Sequence, residues 1–176
     1  MDNKNEFKPY IPADKIVPEF TVTSIVIGII LAVVFGAANA YLGLLVGMTI
    51  SASIPAAVIS MGIIRVILRR DSILENNLVQ TIGSAGESLA AGAIFTLPAL
   101  FLWAEEGKIE FPSLVTIFLI ALFGGLLGVC FMVPLRQALI VEEHGTLPFP
   151  EGTACAEVLL AGEEGGSKAG SVFTGL

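Results

Sequence analysis

Apolar residues along this chain gather in long runs, and the charged residues fall in the gaps between them. No Asp, Glu, Lys, Arg or His occurs between Glu19 and Arg65. As one helix that stretch would run roughly 65–70 Å, at about 1.5 Å per residue. The hydrocarbon core of a bilayer is about 30 Å thick. The chain therefore crosses and turns back, or crosses and re-enters. Four runs have the length of a span, at about residues 20–40, 45–68, 77–103 and 113–133. The third helix starts early if Ser72 is its N-cap and Glu75 closes a capping box. Pro55 and Pro98 each follow hydroxyl-bearing residues. Such prolines either kink a packed helix or break it to build a site within the membrane. The gap at 39–47 carries no charge but holds Gly43 and Gly47, so it is an external turn or backbone sunk in protein.

Residues 1–19 read as a solvated tail with Pro9, Pro12 and Pro18. Ala38-Asn39-Ala40 has the look of a leader cleavage site. Lys4, Lys8 and Lys15 are outnumbered by Asp2, Glu6, Asp14 and Glu19, and the chain stays apolar afterwards, so an uncleaved first span is expected. Beyond the fourth run, Leu147-Pro148-Phe149-Pro150 precedes a helix-like stretch at 151–161. Pro150 suits a first helical turn, and Glu151 suits its positive end. The stretch is shorter than the roughly 20 residues a span needs, so it reads as an interfacial or re-entrant half-helix. A glycine-rich loop with Lys168 follows, and residues 171–176 look like the opening of another apolar segment in a longer chain. The fold class is thus all-α, a polytopic membrane bundle of about four transmembrane helices plus the short one.

The positive charges sort by side. The tail lysines, Arg65, Arg69, Arg70, Arg136 and Lys168 fall on one side, and only Lys108, among Glu105, Glu106 and Glu110, falls on the other. Cytoplasmic loops are the ones enriched in Lys and Arg, so the N-terminus is expected in the cytoplasm. Tyr41 and Trp103 would then lie near the outer interface.

Composition agrees. Of the 176 residues 55% are hydrophobic and 14% charged, with a mean hydropathy of +0.86, too little charge to coat a soluble domain. The net charge of −7 comes with no basic face, so no nucleic-acid partner is expected. Cys130 and Cys155 lack metal-ligand spacing, and His144 beside Glu142 and Glu143 is one imidazole in a loop. No cofactor and no metal is expected. No nucleophile elbow, zinc motif or phosphate loop is present, which disfavours a membrane-embedded enzyme.

The strongest candidate for chemistry is Glu87, in the third run. A lone charge at mid-membrane costs roughly 2.5–3.5 kcal/mol on insertion scales, so it must face protein or water. Asn76, Gln80, Gly83 and Glu87 recur at steps of three and four, hence on one side of a helix. Gly86 and Ala90 flank that side and admit a close neighbour. Two readings compete: a protonatable group on a solute path, or a glutamate near the cytoplasmic edge that snorkels or pairs with Arg69 or Arg70. Gly124, Gly125 and Gly128 in the fourth run read as a helix-packing face.

Three ordered stretches carry a resemblance. They are Asn39-Ala40-Tyr41-Leu42-Gly43-Leu44-Leu45-Val46-Gly47-Met48-Thr49 with the following Ser53-Ile54-Pro55, then Asn76-Asn77-Leu78-Val79-Gln80-Thr81-Ile82-Gly83-Ser84-Ala85-Gly86-Glu87-Ser88, and Leu147-Pro148-Phe149-Pro150-Glu151-Gly152-Thr153-Ala154-Cys155. Together they are similar to the oligopeptide transporter (OPT) family, bacterial type, over about residues 20–160. The resemblance implies a multi-pass symporter of the inner membrane, not an enzyme. It implies proton-coupled uptake of small peptides or peptide-like metal chelates, with this chain as the N-terminal portion. Residues 1–19 would be the cytoplasmic tail and 20–176 the start of the transmembrane domain. Its partners would be the lipid bilayer, the substrate, protons and the remaining helices of a longer chain. On this reading Glu87 couples proton and substrate. Asn39 and Tyr41 line the path, Asn76, Gln80 and Ser84 offer hydrogen bonds, and Glu151 and Thr153 stand at a half-helix N-terminus that favours a substrate carboxylate. The alternatives are a non-transporting membrane scaffold or partner subunit, and third the disfavoured membrane enzyme.

Overall fold

The computed structural model describes residues 9–12, 14–70, 72–164 and 170. Lys4, Lys8 and Lys168, most of the glycine-rich loop and the closing residues 171–176 lie outside the described residues. Helix is the regular structure found among the described residues. Helix α1 covers Val22–Val46. Helix α2 covers Ser53–Met61 and runs on through a wider π turn, Gly62–Ile67. Helix α3 covers Ile73–Glu105. Helix α4 covers Leu114–Arg136 and also runs on through a π turn, Gln137–Glu142. Helix α5 covers Pro150–Glu164. Three helices are long and apolar enough to cross a membrane: Val22–Val46, Ile73–Glu105 and Leu114–Glu142.

The local sequence explains the ends. Thr21 and Ser24 bond reciprocally at the start of α1, a capping box that satisfies two orphan donors. Gly47 ends α1 with φ of 74°, in the left-handed region, and its N–H bonds to the Gly43 carbonyl. Ser72 caps α3 by accepting the Glu75 N–H at 3.3 Å, as expected. The Glu75 carboxylate turns elsewhere, accepting the Thr21 hydroxyl at 2.5 Å and pairing with Arg70 at 3.5 Å.

The second apolar run departs from expectation. It was read as one span at about 45–68, with the gap before it at 39–47. Residues 39–46 are instead the last turns of α1, the non-helical gap is 47–52, and only Ser53–Ile67 is helical. Pro55 falls in the first turn of α2, where its missing N–H would have had no partner. It opens a helix and does not bend one. Pro98, by contrast, lies within the unbroken α3, and α4 runs on past the expected end at about 133, through Pro134.

Helices α1 and α3 lie side by side and point the same way. Thr21 meets Glu75 at one end, Gly28 meets Ile82, Gly36 meets Gly86, and Gly43 meets Ile94 towards the other. Helix α2 runs against α3: Ala52 meets Glu87, Gly83 faces Ala56, and Ser60 bonds Asn76. Helix α5 runs along α2, with Cys155 near Ser53 and Gly162 against Met61. Two small cores result. Leu31, Ala56, Ile64 and Val79 join α1, α2 and α3. Ala57, Val58, Met61, Cys155 and Leu159 join α2 and α5. Helix α4 buries no residue within this assembly.

The return path is therefore made of two unlike parts. Residues 47–52 turn back from the far end of α1 as non-helical backbone, and α2 completes the path to the end where α1 and α3 start.

Candidate functional site

The break between non-helical and helical backbone at the start of α2 is where polar groups converge. Three consecutive residues each hold a different helix. Asn39 of α1 donates its amide N–H to the Ile50 carbonyl at 2.8 Å and accepts the Ile50 N–H at 2.9 Å. The Ser51 hydroxyl donates to the Glu151 carboxylate at the start of α5. The Ala52 N–H donates to Glu87 Oε2 of α3 at 3.4 Å.

Each contact has a local cause. Gly47 turns the chain back beside α1, so Ile50 lies level with Asn39. Backbone without helical pairing is costly in an apolar layer, and an amide side chain offers one donor and one acceptor to replace what is missing. Ala52 is the N-cap of α2 and supplies no side-chain cap. The first N–H groups of a helix lack internal partners and carry its positive pole. The Glu87 carboxylate meets that pole. Gly86, beside it, lets the α3 backbone lie against Ala32 of α1, which brings this stretch of α3 close to both neighbours.

Glu87 is half-buried, and it lies roughly 21 Å along α3 from Ile73 at 1.5 Å per residue. It is not at the edge of the helix. Arg70 pairs with the buried Glu75, not with Glu87. The charged side chains on the elements packed around this level are Glu87 on α3 and Glu151 and Glu157 on α5; α1 and α2 bring none. Both short helices, α2 and α5, start at this level and run to the end where α1 and α3 begin, with Arg65 donating to the Glu163 carbonyl at 3.2 Å.

The structure distributes the candidate residues unevenly. It brings Asn39, Glu87 and Glu151 together around residues 50–52. Asn39 is 1% exposed, and both ends of its amide are occupied by Ile50. Tyr41 is 67% exposed on the outside of α1. Asn76 is buried lower down, where its carbonyl oxygens take the Ser60 hydroxyl. Gln80 accepts the Thr81 hydroxyl at 3.4 Å. Ser84 is half-buried one turn from Glu87, and Thr153 is exposed in the first turn of α5. Ser51 and the backbone of Ile50 and Ala52 were not singled out from sequence as site groups. The signal available was the hydroxyl-rich run before Pro55.

Small residues line a second space. A cleft of about 560 Å³ separates α3 from α4, with Ser88, Gly92 and Thr96 on one wall and Gly124, Gly125 and Gly128 on the other. Those three glycines, expected to pack on a helix, have nothing within 4 Å of a would-be Cβ among the described residues.

Comparison with known proteins converges on one family. The family described as OPT oligopeptide transporter protein matches residues 19–175. A protein of Haemophilus influenzae named "Putative oligopeptide transporter" is 46% identical over 130 residues, which is 74% of this chain and 19% of that protein. The chain thus spans about a fifth of the length of the curated relative it matches. No solved structure matches.

Proposed function

The chain belongs to the OPT oligopeptide transporter family, and on that premise we propose that it is the opening part of a secondary active carrier. The carrier takes up small peptides or peptide-like metal chelates together with protons, across the inner membrane of the cell. Residues 1–19 form its cytoplasmic tail and 20–176 the start of its transmembrane domain. Helices from the rest of the longer chain complete it.

The observation that carries this reading is the carboxylate of Glu87 on the N–H of Ala52, the N-cap of α2, at the break before that helix. Carriers place ion and substrate groups at discontinuous helices because unwound backbone and helix ends supply polar groups there. A neutral Glu87 has one oxygen fewer to offer as a strong acceptor and binds the positive pole of α2 less well. Protonation and release of the α2 terminus are thereby linked. Ser51 and Glu151 tie α5 to the same point, and Ser84 lies one turn away. Asn76 and Gln80 sit towards the cytoplasmic end of that face, and Thr153 stands at the start of α5.

Glu87→Gln in the full-length transporter keeps the shape and removes the titration. Uptake of labelled peptide or chelate driven by an inward proton gradient is expected to disappear, while gradient-free exchange persists. Gradient-driven uptake at the wild-type rate would overturn the assignment of Glu87.

A further inference from the structure

We propose that Asn39 is a positioning residue that holds the non-helical segment before α2 and so sets the α2 terminus against Glu87. This rests on the coupling role given to Glu87 above. An asparagine in the body of an uncharged helix, 1% exposed, is costly to bury unless both faces of its amide are used. Here they are, and both are used on one residue, Ile50. The pair of bonds copies what a neighbouring strand would provide. It fixes Ile50 in position and in rotation about the chain axis, since donor and acceptor must both be met.

Ala52 is only two residues further on, and its N–H is the group that reaches Glu87. The intervening Ser51 holds Glu151. The N-cap Ala52 supplies no side-chain cap, and the Ser53 N–H donates to the Ser51 hydroxyl at 3.4 Å, so the place of the α2 start depends on this segment. Asn39 therefore acts on Glu87 through Ile50 and Ala52, without touching substrate.

The test uses the full-length carrier with its native cysteines replaced and a single cysteine at Ser51. Asn39→Ala is expected to raise the rate at which a small thiol reagent labels that cysteine by on the order of tenfold, the factor that loss of its two hydrogen bonds to Ile50 gives towards the low end of their net worth. Asn39→Ser, which stays polar but does not span both Ile50 groups, should behave the same way. In carriers that retain Ser51, Asn39→Ala should also flatten the dependence of uptake on pH. It should add no further flattening to Glu87→Gln. The amount of each variant inserted in the membrane is measured first, and Asn39→Ser serves as the milder change if Asn39→Ala fails to accumulate. An unchanged labelling rate in both variants overturns the clamp, whatever Glu87 does. Faster labelling with an unaltered pH profile overturns the link to coupling. A pH response kept in full by Glu87→Gln removes the coupling role itself and the positioning role with it.

Discussion

At Gly86 the space that a Cβ would fill is taken by the backbone of Ala32 in α1. Backbone cannot turn aside as a flexible side chain can, so an added methyl must push α1 and α3 apart. Overpacking of a tight contact costs typically 1–3 kcal/mol. Gly86→Ala is expected to lower the thermal midpoint of the purified full-length protein by several degrees. Gly145→Ala, in a loop with nothing within 4 Å of the new atom, is the control and should leave the midpoint nearly unchanged. Equal effects of the two would mean that α1 and α3 do not meet at Gly86. The contact lies next to Glu87, so the same substitution should also weaken proton-driven uptake in carriers that still fold.

At the scale of elements, the sequence disclosed the helices better than the break between them. Long apolar runs with at most one charge leave little choice but helix in a bilayer, and α1, α3 and α4 follow. The Ser72 cap was readable from its spacing to Glu75. The second expected span, at about 45–68, is not a span-length helix, because hydropathy counts side chains and ignores backbone shape. Residues 47–52 are as apolar outside a helix as within one. Pro55 did carry information, since it fits a first turn, but Pro98 looked the same and marks no break. Glu87 stands out in the sequence as an acid in an apolar run, Glu151 as an acid at a short helix's start, and Asn39 through the family resemblance, and the three do come together. That Asn39 would spend its amide on Ile50 required the chain to turn at Gly47, which no side-chain pattern records. Gly47 at φ of 74° is therefore a point of sensitivity. A residue with a Cβ in the left-handed region costs about 1 kcal/mol or more relative to glycine. Gly47→Ala should lose about that much stability, and it should also raise thiol labelling at a cysteine placed at Ser51. Stability and labelling that both match the parent would show that the turn is made elsewhere.

For the whole molecule, the question is which end of the bundle faces the cytoplasm. The starts of α1 and α3 are joined at one end, where the Ser72 hydroxyl donates to the Pro18 carbonyl at 2.5 Å. The close of α2 and α5 is at that same end, through Arg65 and Glu163. Arg65, Arg69 and Arg70 therefore collect there, along with Lys15 before α1. The far end, between α3 and α4, holds Glu105, Glu106 and Glu110, with Lys108 paired to Glu106 at 2.6 Å. Positive charge resists translocation while acids contribute little, so the arginine end should stay in the cytoplasm. The discontinuous return path does not alter this, because its two parts together still carry the chain from one end to the other. A single cysteine at Gly107 in the full-length carrier should react with a membrane-impermeant maleimide in cells whose inner membrane is intact and accessible to the reagent. A cysteine at Arg69 should react only after that membrane is opened. The reverse pattern would invert the bundle and place the start of α1 outside. Reaction of both sites from one side would mean that α3, the helix between them, does not traverse the bilayer, and that Glu87 is not carried across it.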